Sequence, residues 1–228
     1  MPRAFAAIGF FLCALAGLSV NSAVSAISPT SHEDELLENA ALVFARAVDR
    51  PATAIPAAVL MRASAIAVVP ATLKDGKRYF GTGVMSARGA APDKWTPPAI
   101  IDFEGEIPLD LEARTLDFLI VAQTRRGAGY LIADRTASVG AGPIAAGGLG
   151  HSAPQNSEDL VAYVNFDRYF AGVTIDEWVV HGLAASNEAL YGRPYSTDDI
   201  VRGAGFFRMP PGARIWRDVI ARYFRDMS

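Results

Sequence analysis

The sequence predicts an α+β fold, a single compact domain whose mostly antiparallel sheet, open or closed into a barrel, lies between N- and C-terminal helices. Three observations support this prediction. Apolar residues recur at helical spacing near both ends, short apolar runs separated by turn residues fill the middle, and these runs do not alternate with long helices. The chain has 228 residues, 51% of them hydrophobic and 20% charged, so it can bury one sizeable core.

The first 26 residues are predicted to be a secretory signal peptide, leaving a mature domain of residues 27–228. Arg3 supplies a positive start, residues 4–20 carry no charge, and small residues precede Ala26. The alternative, in which residues 4–20 stay uncleaved and anchor the chain, remains open. We therefore expect a periplasmic or extracellular protein, free or peripheral on a membrane. The single cysteine, Cys13, lies in the signal segment, so no disulfide or Cys-ligated metal is expected.

Capping and proline positions predict the N-terminal helices. Ser31 can cap a helix whose apolar positions recur as far as Val48, and Pro51 ends it. Pro56 suits the first turn of a second, shorter helix.

Short apolar runs predict the strands. The first run ends at Pro70, and Asp75-Gly76 indicates a turn before the second. The predicted strands cover residues 65–69, 79–87, 99–103, 117–123, 129–133, 160–166 and 170–175. A helix over 176–191 with Gly192 as its stop, a capped turn at 197–200 and a last helix over 213–224 complete the chain.

The glycine run Gly140-x-Gly142-x-x-Ala145 has the form of a dinucleotide fingerprint. That fingerprint needs a strand running into its first glycine and a long helix after it. Asp134 and Arg135 interrupt the preceding strand, and further glycines deny a helix to the residues that follow. The run therefore indicates close approach of strand backbones.

The segment over about residues 59–192 resembles the SYLF-domain family. The matching pieces occur in family order: LMRASAIAVVP (60–70), GTGVM (81–85), WTPPA (95–99), DFLIV (117–121), ASVGAGP (137–143), FAGVT (170–174) and NEALYG (187–192). The resemblance implies a non-enzymatic lipid-binding domain with no cofactor. Eukaryotic members of the family are known for phosphoinositides and actin, which an exported bacterial-type protein would not meet. Its ligand would then be a bacterial phospholipid or another amphiphile.

This sequence departs from the family pattern over residues 104–112, where acids and Pro108 replace glycines. If these positions face lipid in relatives, the added carboxylates would repel an anionic headgroup. An envelope protein partner is the alternative ligand. The net charge of −3 argues against a nucleic-acid partner.

Two basic groups are the candidate lipid contacts. One is the turn with Lys74, Lys77 and Arg78, for which a solvated hairpin is the alternative. The other is the last helix, where arginines flank an aromatic face that can lie on an anionic bilayer or pack onto the sheet. Its candidate residues are Arg214, Trp216, Arg217, Arg222 and Phe224.

Catalysis and metal binding have weaker signals. Ser138, a downstream aspartate and His181 follow one another in the chain order of an esterase triad, but the elbow motif around Ser138 is incomplete. His32, His151 and His181 stand in no metal-binding frame. The prediction is a protein that is neither an enzyme nor a metalloprotein, with a small serine esterase as the remaining alternative.

Overall fold

The described structure contains one large sheet, which is preceded and followed in sequence by helices. The computed structural model describes residues 31–49, 55–89, 94–108, 112–133, 145–146, 158–166, 169–203 and 208–226. The helices are α1 (His32–Val48), α2 (Ala57–Met61), α3 (Arg125–Ile132), α4 (Ala184–Tyr191), α5 (Thr197–Val201) and α6 (Pro211–Asp226). The strands are β1 (Ala65–Asp75), β2 (Arg78–Ala87), β3 (Ala99–Glu106), β4 (Thr115–Ala122), β5 (Ala145–Ala146), β6 (Leu160–Phe166), β7 (Tyr169–Gly172) and β8 (Asp176–Gly182).

The sheet has the strand order β5-β6-β4-β1-β2-β3-β8, and β7 adds to β6. Every pairing is antiparallel except the short one between β5 and β6. The α+β prediction is therefore confirmed. The closed alternative is wrong, because β5 and β8 stand at opposite ends of the strand order and do not pair.

The two terminal helices lie against each other. The hydroxyl of Ser31 accepts the backbone N–H of Asp34 at 3.0 Å, which confirms the predicted N-cap of α1. The carboxylate of Asp34 in turn accepts the backbone N–H of Gly212 at 2.8 Å, so the first turns of α1 and α6 meet. The ring of Phe44 on α1 packs edge-on against Trp216 and Tyr223 of α6.

Strand β1 continues through Pro70, so the prediction that this proline ends the strand is wrong. Proline has no N–H to give to the ladder, and the register with both neighbouring strands shifts next to it. The shift is a bulge in which Ala71 takes a positive φ of 49°. The chain then resumes pairing as far as the turn at Gly76, whose φ is 61°.

The predicted strand over 129–133 is wrong, because residues 125–132 form α3. Thr124 caps this helix by accepting the N–H of Gly127 at 3.0 Å. Ala128 and Leu131, three residues apart, are its buried apolar side chains.

The predicted helix over 176–191 is two elements. Its first part is β8, in which Trp178 and Val180 are buried and their neighbours are less so, an alternation typical of a strand. Its second part is α4, which ends at Gly192 with a φ of 70° as predicted. The capped turn at 197–200 is confirmed as α5, where Ser196 and Asp199 form a capping box.

Candidate binding surfaces

The apolar face of α6 is inside the protein. Trp216 is fully buried, and its indole N–H donates to the hydroxyl of Ser86 on β2 at 2.9 Å. Phe224 is 5% exposed. Of the two alternatives predicted for this helix, the packed one is observed. Trp216 and Phe224, both predicted as lipid contacts, are therefore core residues in this structure.

Arg88 fixes the C-terminal end of α6. Its guanidinium lies 4.8 Å from the ring centre of Phe224 and 5.4 Å from that of Trp95, a cation–π arrangement. It also donates to the carbonyls of Ala63 and Leu60 at 2.7 and 3.2 Å. Burial lowers the pKa of Arg88. These contacts tie α6 to α2 and to the end of β2.

The opposite face of α6 carries exposed arginines. Arg214, Arg222 and Arg225 are exposed and, within the described residues, form no ion pair with a carboxylate. These three residues are the basic stripe. Arg217 lies at its border, 3.4 Å from Asp218. Because the apolar face already packs inside, the basic stripe is what α6 presents to solvent.

Of the basic turn between β1 and β2, Arg78 is neutralised by two carboxylates. Arg78 forms an ion pair with Glu104 on β3 and a second one, at 3.2 Å, with Glu177 on β8. The hydrogen bond and charge of Glu104 are the largest causes that raise the pKa of Arg78. Lys74 lies 5.9 Å from the ring centre of Tyr79, whereas Lys77 is exposed. The guanidinium of Arg78 therefore already has carboxylate partners, with which a lipid headgroup would have to compete.

The two basic groups lie toward opposite ends of β2. Trp216 meets β2 at Ser86, eight residues from Arg78, a distance of about 26 Å along an extended strand. The two groups also differ in pairing, because Arg78 has carboxylate partners and the basic stripe has none in the described structure. Glu104, one of the acidic residues at 104–112 that depart from the family pattern, is one of these partners. Sequence reasoning missed this network because it joins Arg78 to carboxylates 26 and 99 residues away along the chain.

A groove that the sequence analysis missed lies between α1 and the bulge of β1. Its volume is about 600 Å³, and Asp117 of β4 forms part of its wall. One carboxylate oxygen of Asp117 accepts the backbone N–H of Ala71 at 3.0 Å. The other accepts from the side chains of Asn165 at 2.9 Å and Arg46 at 3.4 Å. Asp117 was predicted as part of an apolar strand, and no local signal marked it as the link between these elements.

Of the two residues proposed for catalysis, the structure describes His181 and not Ser138. His181 lies on strand β8, paired with Asp102 of β3, and not on a helix as predicted. Ser138 and residues 140–144 of the glycine run lie outside the described residues. Ala145, the last residue of the run, is described and belongs to β5. The described residues contain no group of three or more His, Cys, Asp or Glu side chains placed to hold a metal ion.

No helix in the described part of the chain combines the length and apolarity needed to cross a bilayer.

Comparison with known proteins gives one match. Residues 112–223 match the family model Ysc84, described as Las17-binding protein actin regulator. The matched region starts later than the motif resemblance and continues through most of α6. No curated protein and no solved structure matches the chain.

Proposed function

We propose that this chain is a non-enzymatic binding domain that associates with anionic phospholipid in the cell envelope, a proposal supported by the match of residues 112–223 to the Ysc84 (SYLF) family model. The observation that carries the proposal is the basic stripe of α6, whose three arginines are exposed and have no carboxylate partner in the described structure. Ile215, 43% exposed beside Arg214, adds an apolar side chain at the same surface.

The proposed mode of association is peripheral. The apolar face of α6 packs on α1 and β2, so the helix has no free aromatic face to insert into the bilayer. Binding then depends on charge. Each arginine near an anionic surface contributes about 1 kcal/mol, so three contribute about 3 kcal/mol, roughly a hundredfold in affinity. Salt screens this attraction within about 10 Å at 0.1 M ionic strength.

Vesicle co-sedimentation tests the proposal. Residues 27–228, which contain every residue that the structure describes, are mixed with neutral or anionic phospholipid vesicles at low and high salt. We expect sedimentation with anionic vesicles that weakens with salt, and little with neutral ones. Changing Arg214, Arg222 and Arg225 together to glutamine is expected to abolish it.

The matched control changes three exposed arginines outside the basic stripe to glutamine: Arg62, Arg125 and Arg193. Both triple variants lose the same charge, so they differ in position alone. We expect the control to retain most of its binding. Absence of sedimentation, or equal loss in both variants, would show that the stripe is not a phospholipid site.

Export is part of the same proposal and rests on the apolar segment 4–20. The family description names Las17 and actin regulation. We propose for this chain only the general role of a binding domain, and not Las17 or actin as its partner. Mass spectrometry of the protein from fractionated cells tests the location. We expect an envelope fraction and a first residue at position 27, whereas a cytosolic chain starting at Met1 would contradict export.

A further inference from the structure

The groove beside α1 lies next to an exposed part of the sheet, since Leu73 of β1 pairs with Thr115 of β4, two residues from Asp117 in the groove wall. Its apolar lining includes Leu36, Leu42 and Pro70, and Leu42 is 60% exposed. Two residues beyond Ala71, Leu73 is 56% exposed and lies directly opposite Phe80, itself 40% exposed. We name the groove, together with this cross-strand pair, the α1–β1 surface.

Exposed apolar side chains are concentrated on this surface. Among the described residues, five large hydrophobic side chains are exposed, and three of them, Leu42, Leu73 and Phe80, belong to it. Scattered exposed apolar residues are ordinary on a soluble protein, but a contiguous group marks an interaction site.

The shape of the surface is held by Asp117. Ala71 keeps a positive φ of 49°, which costs energy for a residue with a Cβ. The carboxylate of Asp117 holds this conformation through the N–H of Ala71 and is itself held by Asn165. The bulge that forms the groove wall is thus fixed before any partner binds, and a preformed surface binds with less loss of entropy.

The charges around this surface are mainly negative. Its two arginines, Arg46 and Arg78, already form ion pairs with carboxylates. Lys74 and Lys77 of the turn add two more cations, and six carboxylates stand against the four: Glu35, Asp75, Glu104, Glu106, Asp117 and Glu177. A ligand of complementary charge is therefore positive, which disfavours an anionic membrane.

We infer that the α1–β1 surface docks a basic amphipathic segment of a partner protein. Apolar side chains of the segment would occupy the groove and cover Leu73 and Phe80. Its lysines or arginines would meet the surrounding carboxylates, of which Glu35 forms no ion pair in the described structure. This interaction is separate from the basic stripe of α6, so one molecule could hold a lipid surface and a protein partner at once.

A synthetic probe tests the inference. The probe is a fluorescent amphipathic peptide of leucine and lysine, and its binding to residues 27–228 is followed by anisotropy. Changing Leu73 and Phe80 together to threonine keeps β-propensity and removes the apolar pair. We expect this variant to bind at least about tenfold more weakly, a loss of about 1.4 kcal/mol. A leucine–glutamate peptide of the same pattern is expected not to bind.

The control changes Met61 and Ile215, the other two exposed large hydrophobics among the described residues, to glutamine, and we expect it to keep peptide binding. A second variant, Glu35→Gln with Glu104→Gln, removes charge without touching the apolar pair, and we expect it to weaken binding at low salt. Equal affinity of the threonine variant and the Met61/Ile215 control, or equal binding of the lysine and glutamate peptides, would overturn the inference.

The result is distinguishable from a failure of the lipid proposal. The glutamine variant of the basic stripe is expected to lose vesicle sedimentation and to keep peptide binding. If the threonine variant instead lost vesicle sedimentation, the α1–β1 surface would belong to the membrane and the inference of a protein partner would be overturned.

Discussion

Trp216 and Ser86 form a hydrogen bond of 2.9 Å in the interior, from the indole N–H to the hydroxyl oxygen. Neither residue is exposed to solvent. The indole N–H is a polar group on an otherwise apolar helix face, and Ser86 supplies its hydrogen-bond acceptor. The acyl region of a bilayer contains no such acceptor. The bond therefore distinguishes a helix made to pack on a sheet from one made to lie in a membrane, although both have the same amphipathic pattern.

Removing this acceptor should destabilise the protein. In Ser86→Ala the indole N–H of Trp216 stays buried without a partner, and we expect the free energy of unfolding to fall by about 1–3 kcal/mol. Urea denaturation measures the change. Ser186→Ala, at a partly exposed position on α4, is the control and should stay within about 0.5 kcal/mol of the parent. Similar losses in the two variants would contradict the assigned role of the bond.

Local chemistry made part of the fold predictable. The predicted helix cap at Ser31 is confirmed, and so is the capped turn at 197–200, whose cap in the structure is Ser196. Both depend on residues three positions apart. The strand over 160–166 was also predicted at its observed bounds. In each case the deciding interactions are within the element or follow from a simple apolar run.

The wrong predictions involve contacts that are distant in sequence. Residues 176–182 were predicted to be helical, yet they form an edge strand. They pair with β3 through backbone hydrogen bonds, and this pairing leaves Trp178 buried. Tertiary pairing of this kind overrides local propensity. The candidate surfaces follow the same rule, since the ion pairs of Arg78 and the hydrogen bonds of Asp117 join strands far apart in the chain.

Two glycines of α3 should respond oppositely to alanine. A Cβ on Gly127 would lie 2.3 Å from the carbonyl oxygen of Asp159, whereas a Cβ on Gly129 would meet nothing within 4 Å. We expect Gly129→Ala to stabilise the protein by about 0.5–1 kcal/mol, because alanine favours a helix interior. Gly127→Ala should destabilise it by about 1–3 kcal/mol through a backbone clash. Thermal unfolding of both variants is the measurement, and the same sign for both would contradict the packing of α3 on Asp159.

Two buried tyrosines should respond oppositely to loss of the hydroxyl. The hydroxyl of Tyr163 is buried without a hydrogen-bond partner among the described residues, whereas that of Tyr191 donates to the carbonyl of Pro98. We expect Tyr163→Phe to leave stability unchanged or to raise it by about 1 kcal/mol, and Tyr191→Phe to lower it by about 1 kcal/mol. Urea denaturation below pH 9 keeps both side chains neutral, since burial raises the pKa of each. A larger loss for Tyr163→Phe than for Tyr191→Phe would contradict this assignment.

The carboxyl of Asp159 should make the protein sensitive to acid. A hydrogen bond from the Thr124 hydroxyl, and then the hydrogen bond and charge of Arg126, lower the pKa of Asp159, whereas burial opposes the shift. A carboxyl whose pKa is lower in the folded state releases its proton more readily there than in the unfolded chain. Its stabilising effect is therefore complete above the unfolded pKa of about 3.9 and is lost as the pH falls through the lower folded value.

Replacing Asp159 by asparagine should therefore flatten the acid side of the stability profile. We expect the free energy of unfolding of the parent to fall more steeply below about pH 4 than that of Asp159→Asn, because the variant has no carboxyl to protonate at this position. Urea denaturation at several pH values measures both slopes. Thr124→Val should flatten the profile partly, since it removes the hydrogen bond that lowers the pKa of Asp159 most. Thr124→Ser keeps the hydroxyl and should follow the parent. Parallel profiles for the parent and Asp159→Asn would show that Thr124 and Arg126 do not favour the charged form of this carboxyl in the folded protein.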